Sequence, residues 1–319
     1  MRGEHTPVKE MKVSGVGKLT LEKVSEVVEY VEDLALFNPE ELAERAEIEL
    51  DKAVALVRAA RKLVKAKLGI RRAYKGSEYA RILESRDALT SGVETIDELL
   101  GGGMFIWDIY EFAGEFGTGK TQLCHQLAVT VQLPPALGGL AGKAVYIDTE
   151  GTFSPQRVEA VAGRVEVAKP LENIYVVRPM NVDELEETVI EDLPSLLRDN
   201  ARLIVVDSII ALYRAEFKGR EMLAARQQRI NYLLDWLKRY ARHYNAVVAI
   251  TNQVLSQPVP WGVAMKIPAG GNIIAHASTH RLVMRRAGDV WVVEVFDSPT
   301  IPRGAAARFV ITEKGLEKA

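Results

Sequence analysis

The octapeptide GEFGTGKT, Gly114 to Thr121, decides how the rest of this chain is read. It fits the phosphate-loop pattern Gly-x-x-x-x-Gly-Lys-Thr. It also follows the apolar run IYEFAG (Ile109–Gly114) and opens a helical pattern, so it stands where a strand passes into a helix. Glycines in such a loop let backbone N–H groups converge on phosphate oxygens, and the helix N-terminus adds a favourable field. Gly114, Glu115, Phe116, Gly117, Thr118, Gly119, Lys120, Thr121 and Gln122 are therefore the nucleotide-binding candidates. Lys120 is placed to reach the β- and γ-phosphates and Thr121 to ligate Mg²⁺.

Working outward, AVYID (Ala144–Asp148), LIVVD (Leu203–Asp207) and AVVAIT (Ala246–Thr251) read as further buried strands. Helical segments lie between them, which is the pattern of a mainly parallel sheet covered on both faces. Asp207 emerges at the carboxyl end of its strand, where it orients a magnesium shell. Just past Asp148, Glu150 is the candidate base for an attacking water; the alternative is that it caps the next helix. Asn252 and Gln253 close the last of these strands. Their amides either sense a γ-phosphate and pass its presence onward, or form an ordinary turn. RLVMRR and VWVVEVF flank Ala287-Gly288-Asp289 as a hairpin would, with ARFVIT as a final strand.

Composition narrows the function classes. The 319 residues are 48% hydrophobic and 26% charged, an ordinary globular balance. With 41 Lys+Arg against 43 Asp+Glu, no general basic coat exists, so any nucleic-acid contact has to be local. YRAEFKGREMLAARQQR, Tyr213 to Arg229, is such a place, with five basic and two acidic side chains. The one cysteine, Cys124, excludes an internal disulfide and a cysteine metal cluster; a plain core residue in a reducing compartment is expected. No apolar run approaches a membrane span and MRGEHTPVKE has no apolar signal core, so an intracellular, cytoplasmic protein is expected, without a membrane partner. Residues 1–68 read as a small helical domain, with NPEEL at Asn38 as a capped helix start. Residues 69–89 read as a linker carrying one short element, and 90–319 as the core.

Together these motifs resemble the RadA family of archaeal DNA strand-exchange recombinases, within the RecA superfamily. The resemblance rests on GEFGTGKTQLCHQLAVTVQLP, YIDTEGTFSPQR, LIVVDSIIALYRAEFKGR, LAARQQR, ITNQV, GGNIIAHAST and DSPTIP, in the family's order from about Thr90 to Thr312. It implies a RecA-like ATPase core, ATP with Mg²⁺, and a helix-hairpin-helix N-terminal domain in which Gly15 and Gly17 of SGVGK present backbone N–H groups to a phosphate. It implies two loops that hold DNA. In the first, Arg214, Lys218, Arg220, Arg226 and Arg229 meet phosphates, although Arg226 and Arg229 also fit a solvated helix face. In the second, about Val254 to Ile267, Val259, Trp261 and Val263 wedge between bases. It further implies that Lys120, Glu150 and Gln253 are catalytic, and that His276, Asp297 and Pro302 reach the ATP of an adjacent protomer.

Three departures stand out. The family polymerises through a Phe-x-x-Ala linker motif, and the corresponding AYKGS (Ala73–Ser77) lacks the phenylalanine in either register, Ala73 with Gly76 or Tyr74 with Ser77. An alanine there leaves a pocket unfilled, at roughly 3–5 kcal/mol by analogy with core truncations. The second loop holds Pro258, Pro260 and Pro268, which limit refolding on DNA. Arg303 stands where the family has an acidic residue after the cap proline. The expected function is a DNA-dependent ATPase that forms a filament on single-stranded DNA and exchanges strands with a duplex. Its partners are single- and double-stranded DNA, copies of itself in a filament or ring, and recombination mediator proteins. The alternative is a non-filamenting paralogue that regulates a recombinase. A RecA-fold ATPase of the KaiC type, assembling on protein, fits YRAEFKGR and GGNIIAHAST poorly.

Overall fold

The computed structural model describes residues 5–69, 73–257 and 265–319. The chain forms two compact units that divide between Ser85 and Arg86. The last residues of the expected linker therefore join the core: Leu89 is fully buried and pairs with Met104, and Arg86 is bonded to Asp108 at 2.8 Å.

The first unit is helical, with helices at Lys18–Val27, Val31–Leu34, Pro39–Arg45, Leu50–Leu68 and Gly76–Glu84. Val24, Leu34, Leu42, Leu56 and Ala60 make its buried centre, whereas Leu63 lies on the outer face of its helix and is exposed. Asn38 caps its helix by accepting from the Glu40 N–H, and Arg61 donates to the carbonyls of Ala35 and Phe37, just past the end of the helix Val31–Leu34. In SGVGK, Gly15 takes a positive φ of 80° and Gly17 is the N-cap of the first helix. Nothing lies within 4 Å of a side chain placed at either glycine, so this turn is open to solvent. Ala73, Tyr74, Gly76 and Ser77 are all exposed where the last helix begins.

The second unit is built on a nine-stranded sheet. In chain order its strands are β1 (Ile109–Gly114), β2 (Lys143–Asp148), β3 (Ile174–Val177), β4 (Ala201–Asp207), β5 (Val247–Asn252), β6 (His280–Ala287), β7 (Val290–Asp297), β8 (Ala306–Thr312) and β9 (Gly315–Lys318). Their spatial order is β9-β8-β7-β6-β1-β5-β4-β2-β3. From β6 to β3 every pairing is parallel, and from β6 to β9 every pairing is antiparallel. This is the expected α/β class with its antiparallel extension, and β6 turns into β7 at Gly288 with φ 68°. Strands β3 and β9 were not expected; both are four-residue edge strands whose pattern is too short to read.

Parallel strands covered on both faces read as apolar runs because both faces are buried. Strand β1 breaks that rule with Glu111, which is fully buried. Arg281 on β6 donates from Nε to Glu111 Oε2 at 2.5 Å, and Asn252 on β5 donates from Nδ2 to Glu111 Oε1 at 2.7 Å. One carboxylate thus ties together the three central strands. Removing it leaves the Arg281 guanidinium buried without its counter-charge, which costs about 3–5 kcal/mol. Glu111→Ala is expected to lose that much from the unfolding transition of residues 86–319 in urea, and a loss under 1 kcal/mol would contradict this account.

Candidate nucleotide site and adjoining basic loop

The parallel register brings the carboxyl ends of β1, β2, β4 and β5 to one edge, where open α/β sheets place their ligands. Residues 115–119 leave β1 and pass into the helix Lys120–Thr130. Gly117 and Gly119 have φ of 76° and 92°, conformations that need glycine. A Cβ at Gly114 would lie 2.6 Å from the Met284 carbonyl, so the strand packs too closely there for a side chain. Thr118 Oγ1 donates to the Glu115 carbonyl at 2.8 Å, and Phe116 is fully exposed at the loop tip.

Above this loop is a cavity of about 850 Å³, lined by Lys120, Thr121, Gln122, Glu150, Asp207 and Gln253 among others. Lys120 Nζ donates to the carbonyls of Gly114 at 2.9 Å and Glu115 at 2.8 Å, which holds its ammonium inside the loop. Burial holds that ammonium below the usual lysine range, opposed by the charges of Asp207 and Glu150. Gln122 Oε1 is buried with no hydrogen-bond partner among the described residues. A cradle of backbone N–H groups, an inward cation and an orphaned polar atom together suit a chain of phosphates.

The acidic residues divide by role. Asp207 is almost fully buried; Tyr146 donates to its Oδ2 at 2.8 Å, and Thr251 donates to its Oδ1. Two hydroxyl donors on separate strands fix this carboxylate where, with Thr121, it lines the cavity. Asp148 accepts from the N–H groups of Thr152 at 2.9 Å and Phe153 at 3.0 Å, so it shapes the loop that carries Glu150. Glu150 itself is exposed to the cavity, with Ser208 donating to its Oε1 at 2.6 Å. The helix-capping alternative for Glu150 fails, because the cap of the helix Pro155–Val165 is Ser154, which accepts from the Arg157 N–H.

His125 and Cys124 lie deeper in the phosphate-loop helix. His125 stacks on Tyr146 with ring centroids 5.4 Å apart and accepts from the Ser154 N–H at 3.0 Å, which links this helix to the Glu150 loop. Cys124 is wholly buried, and burial pushes its thiol up, with the Asp207 charge adding to the effect.

The basic stretch is less of a loop than the sequence implies. Helix Ala211–Glu216 and helix Leu223–His243 leave residues 217–222 between them. Ile230, Leu233, Leu234 and Leu237 form the buried side of the second helix, whereas Leu223, in its first turn, is exposed. Arg214, Lys218 and Arg220 are exposed, and Arg226 is half-buried. Arg229 requires a correction. Its guanidinium donates to Glu186 Oε1 at 3.0 Å, to Glu186 Oε2 at 2.7 Å and to Asp183 Oδ1 at 2.6 Å. The bonds to Glu186 raise its pKa further. Two carboxylates neutralise it and fork geometry fixes it, so Arg229 braces the fold rather than offering charge to a phosphate. The second stretch also differs from an open loop, since Val254–Gln257 and Met265–Pro268 pair as an antiparallel ribbon. Lys266 Nζ reaches Glu115 Oε2 of the phosphate loop at 2.5 Å. Val259, Trp261 and Val263 lie outside the described residues.

A family model described as Rad51 matches residues 85–319. Over 314 residues the chain is 38% identical to the DNA repair and recombination protein RadA of Metallosphaera sedula, covering 96% of this chain and 94% of that protein. The chain belongs to the Rad51 family. In this Rad51-family core, His276, Asp297 and Pro302 are exposed and none is among the residues lining the cavity. No described helix is long and apolar enough to cross a membrane.

Sequence reading missed Ser208, Tyr146, Thr251, His125 and Arg281 as supports of the site. The charge of Glu111 inside an apolar strand was the one signal that pointed toward such a network.

Burial pushes the His125 pKa down to about 4, against about 6.5 in an unfolded chain. Between those values the unfolded chain binds a proton that the folded one does not. The contribution to stability is therefore complete above pH 6.5 and is lost as pH falls toward 4, by up to about 3 kcal/mol. Urea unfolding of His125→Gln across this range is expected to show a flatter pH slope; a slope equal to that of the wild type would refute the assignment.

Proposed function

We propose that this chain is a DNA-dependent ATPase that assembles on single-stranded DNA and exchanges strands between homologous molecules. The observation that carries the reading is the joint placement of Lys120, Glu150, Asp207 and Gln253 around one cavity of about 850 Å³, next to an exposed basic segment. Family membership and the extended similarity to a protein named RadA support it.

In this reading the N–H groups of residues 115–121 hold the phosphates of ATP, and Lys120 neutralises their charge. Thr121 and Asp207 would hold Mg²⁺, which would supply positive charge against the negative charge that develops on the phosphates. Glu150, steadied by Ser208, orients the attacking water and accepts its proton. Gln253 donates its amide to the γ-phosphate and reports its presence to the ribbon beyond. Arg214, Lys218 and Arg220 hold DNA phosphates, and the open Gly15–Gly17 turn adds a sequence-independent phosphate contact. His276, Asp297 and Pro302 complete the ATP site of a neighbouring copy. Self-association runs through Tyr74, the aromatic side chain in the Ala73–Ser77 segment, which is exposed beside Tyr79. Recombination mediator proteins, and the cytoplasmic, nucleoid-associated setting, belong to the same proposal.

ATP turnover measured over a range of protein concentrations, with and without single-stranded DNA, tests it. Strong DNA stimulation that steepens with concentration is expected, and Lys120→Ala should abolish turnover while keeping the fold. Slow turnover indifferent to both DNA and concentration would instead favour the regulatory paralogue, with the Ala73–Ser77 departure as its reason.

A further inference from the structure

The segment DSPTIPR, Asp297 to Arg303, leaves β7 and leads back to β8 with Asp297, Pro299, Thr300, Pro302 and Arg303 exposed. Backbone bonds close its neck, from the Val295 N–H to the Ala305 carbonyl and from the Gly304 N–H to the Val295 carbonyl, both at 2.8 Å. A closed neck does not by itself shape the exposed part. Two side-chain anchors do. At the far end the Arg303 guanidinium lies over the Phe296 ring at 5.0 Å, and Arg281 lies over the same ring at 5.2 Å. At the near end Ser298 Oγ lies 2.9 Å from Nδ1 of His280, the first residue of β6, which is only 6% exposed.

Counting donors and acceptors shows what that bond is. A serine hydroxyl has one hydrogen and two lone pairs. Ser298 Oγ accepts from the Thr300 N–H at 3.2 Å and from the Ile301 N–H at 3.1 Å, so its hydrogen is the part left for His280 Nδ1. The imidazole is therefore the acceptor, with its own proton on Nε2. That nitrogen faces Asp108 Oδ2 at 3.8 Å, an oxygen that Arg86 also holds at 2.8 Å. The ring is stacked on Tyr110 with centroids 4.7 Å apart. Tautomer and ring plane are thus both set by residues at the start of β1. A hydroxyl aimed at Nδ1 turns its lone pairs toward the Thr300 and Ile301 N–H groups, so the exposed turn takes its direction from His280.

We propose that His280 is a positioning residue for the ATP site of a neighbouring copy: through Ser298 it holds the Asp297–Arg303 segment in the shape in which Asp297 and Pro302 meet that nucleotide. The inference rests on the function proposed above, in which this segment acts on an adjacent protomer, and adds the residue that shapes it. His280 is not among the residues lining the cavity of its own chain. Its loss is therefore felt at a neighbour's site and leaves its own phosphate loop competent.

The test is ATP turnover with single-stranded DNA in mixtures of full-length variants. His280→Phe keeps a ring against Tyr110 but removes the acceptor, and is expected to lose roughly ten- to hundredfold, the scale of a misplacement of about 1 Å. His280→Asn returns an amide oxygen near the place of Nδ1 and is expected to recover most of that loss. Lys120→Ala cannot turn over ATP but carries an intact segment. Added in excess, it should restore turnover to His280→Phe, because mixed assemblies set a working phosphate loop against an intact neighbour. Where either histidine variant unfolds, Ser298→Ala removes the same bond from the half-buried side and should show the same loss and the same restoration. Wild-type turnover in His280→Phe overturns the positioning role, as does a loss that persists in mixtures shown by crosslinking to be co-assembled. Wild-type turnover indifferent to DNA and to protein concentration overturns the recombinase reading instead, which separates the two failures.

Discussion

A single buried carboxylate organises the catalytic edge of this protein. Glu111 lies in the strand that delivers the phosphate loop, and its two oxygens are claimed by Arg281 on one neighbouring strand and Asn252 on the other. A charge in that position is costly unless it is fully paired, so the three strands are held in one register relative to each other. Apolar packing alone tolerates small slips along a strand; a fork of charged and amide bonds to one carboxylate does not. The phosphate loop, the Gln253 position and the base of β6 thereby become one rigid piece.

From that piece the chemistry is assembled by length of reach. Asp207 sits at the end of its strand and is held by two hydroxyls, while Glu150 stands one short turn beyond β2 and is steadied by Ser208. The buried carboxylate is suited to ordering a cation shell. The exposed one is suited to ordering water. The contrast comes from position along the strands rather than from residue type. His125 joins the phosphate-loop helix to the Glu150 loop through the Ser154 N–H, so both sides of the cavity share a support.

Much of this was legible in the sequence. The central strands ending in Gly114, Asp148, Asp207 and Thr251 could be read because parallel strands buried on both faces leave unbroken apolar runs. The phosphate loop could be read because its geometry demands glycine and lysine at fixed intervals. The edge strands β3 and β9 could not, since four residues with one solvated face carry no periodic signal. Nor could the fate of Arg229: along the chain it resembles Arg214 and Arg220, and only the folding of Asp183 and Glu186 against it removes it from the basic surface. The ribbon that pairs Val254–Gln257 with Met265–Pro268 was hidden in part by Pro268, since a proline argues against a strand unless it falls at the strand's end, as this one does.

The burial of Cys124 has a practical consequence. A thiol reacts as its thiolate, and full burial in the phosphate-loop helix disfavours that form while denying reagents access. With no other cysteine in the chain, the native protein is silent toward maleimides and alkylating agents. Any cysteine introduced on the surface then becomes a unique attachment point for a fluorophore or crosslinker, without first deleting a native residue beside the nucleotide cavity.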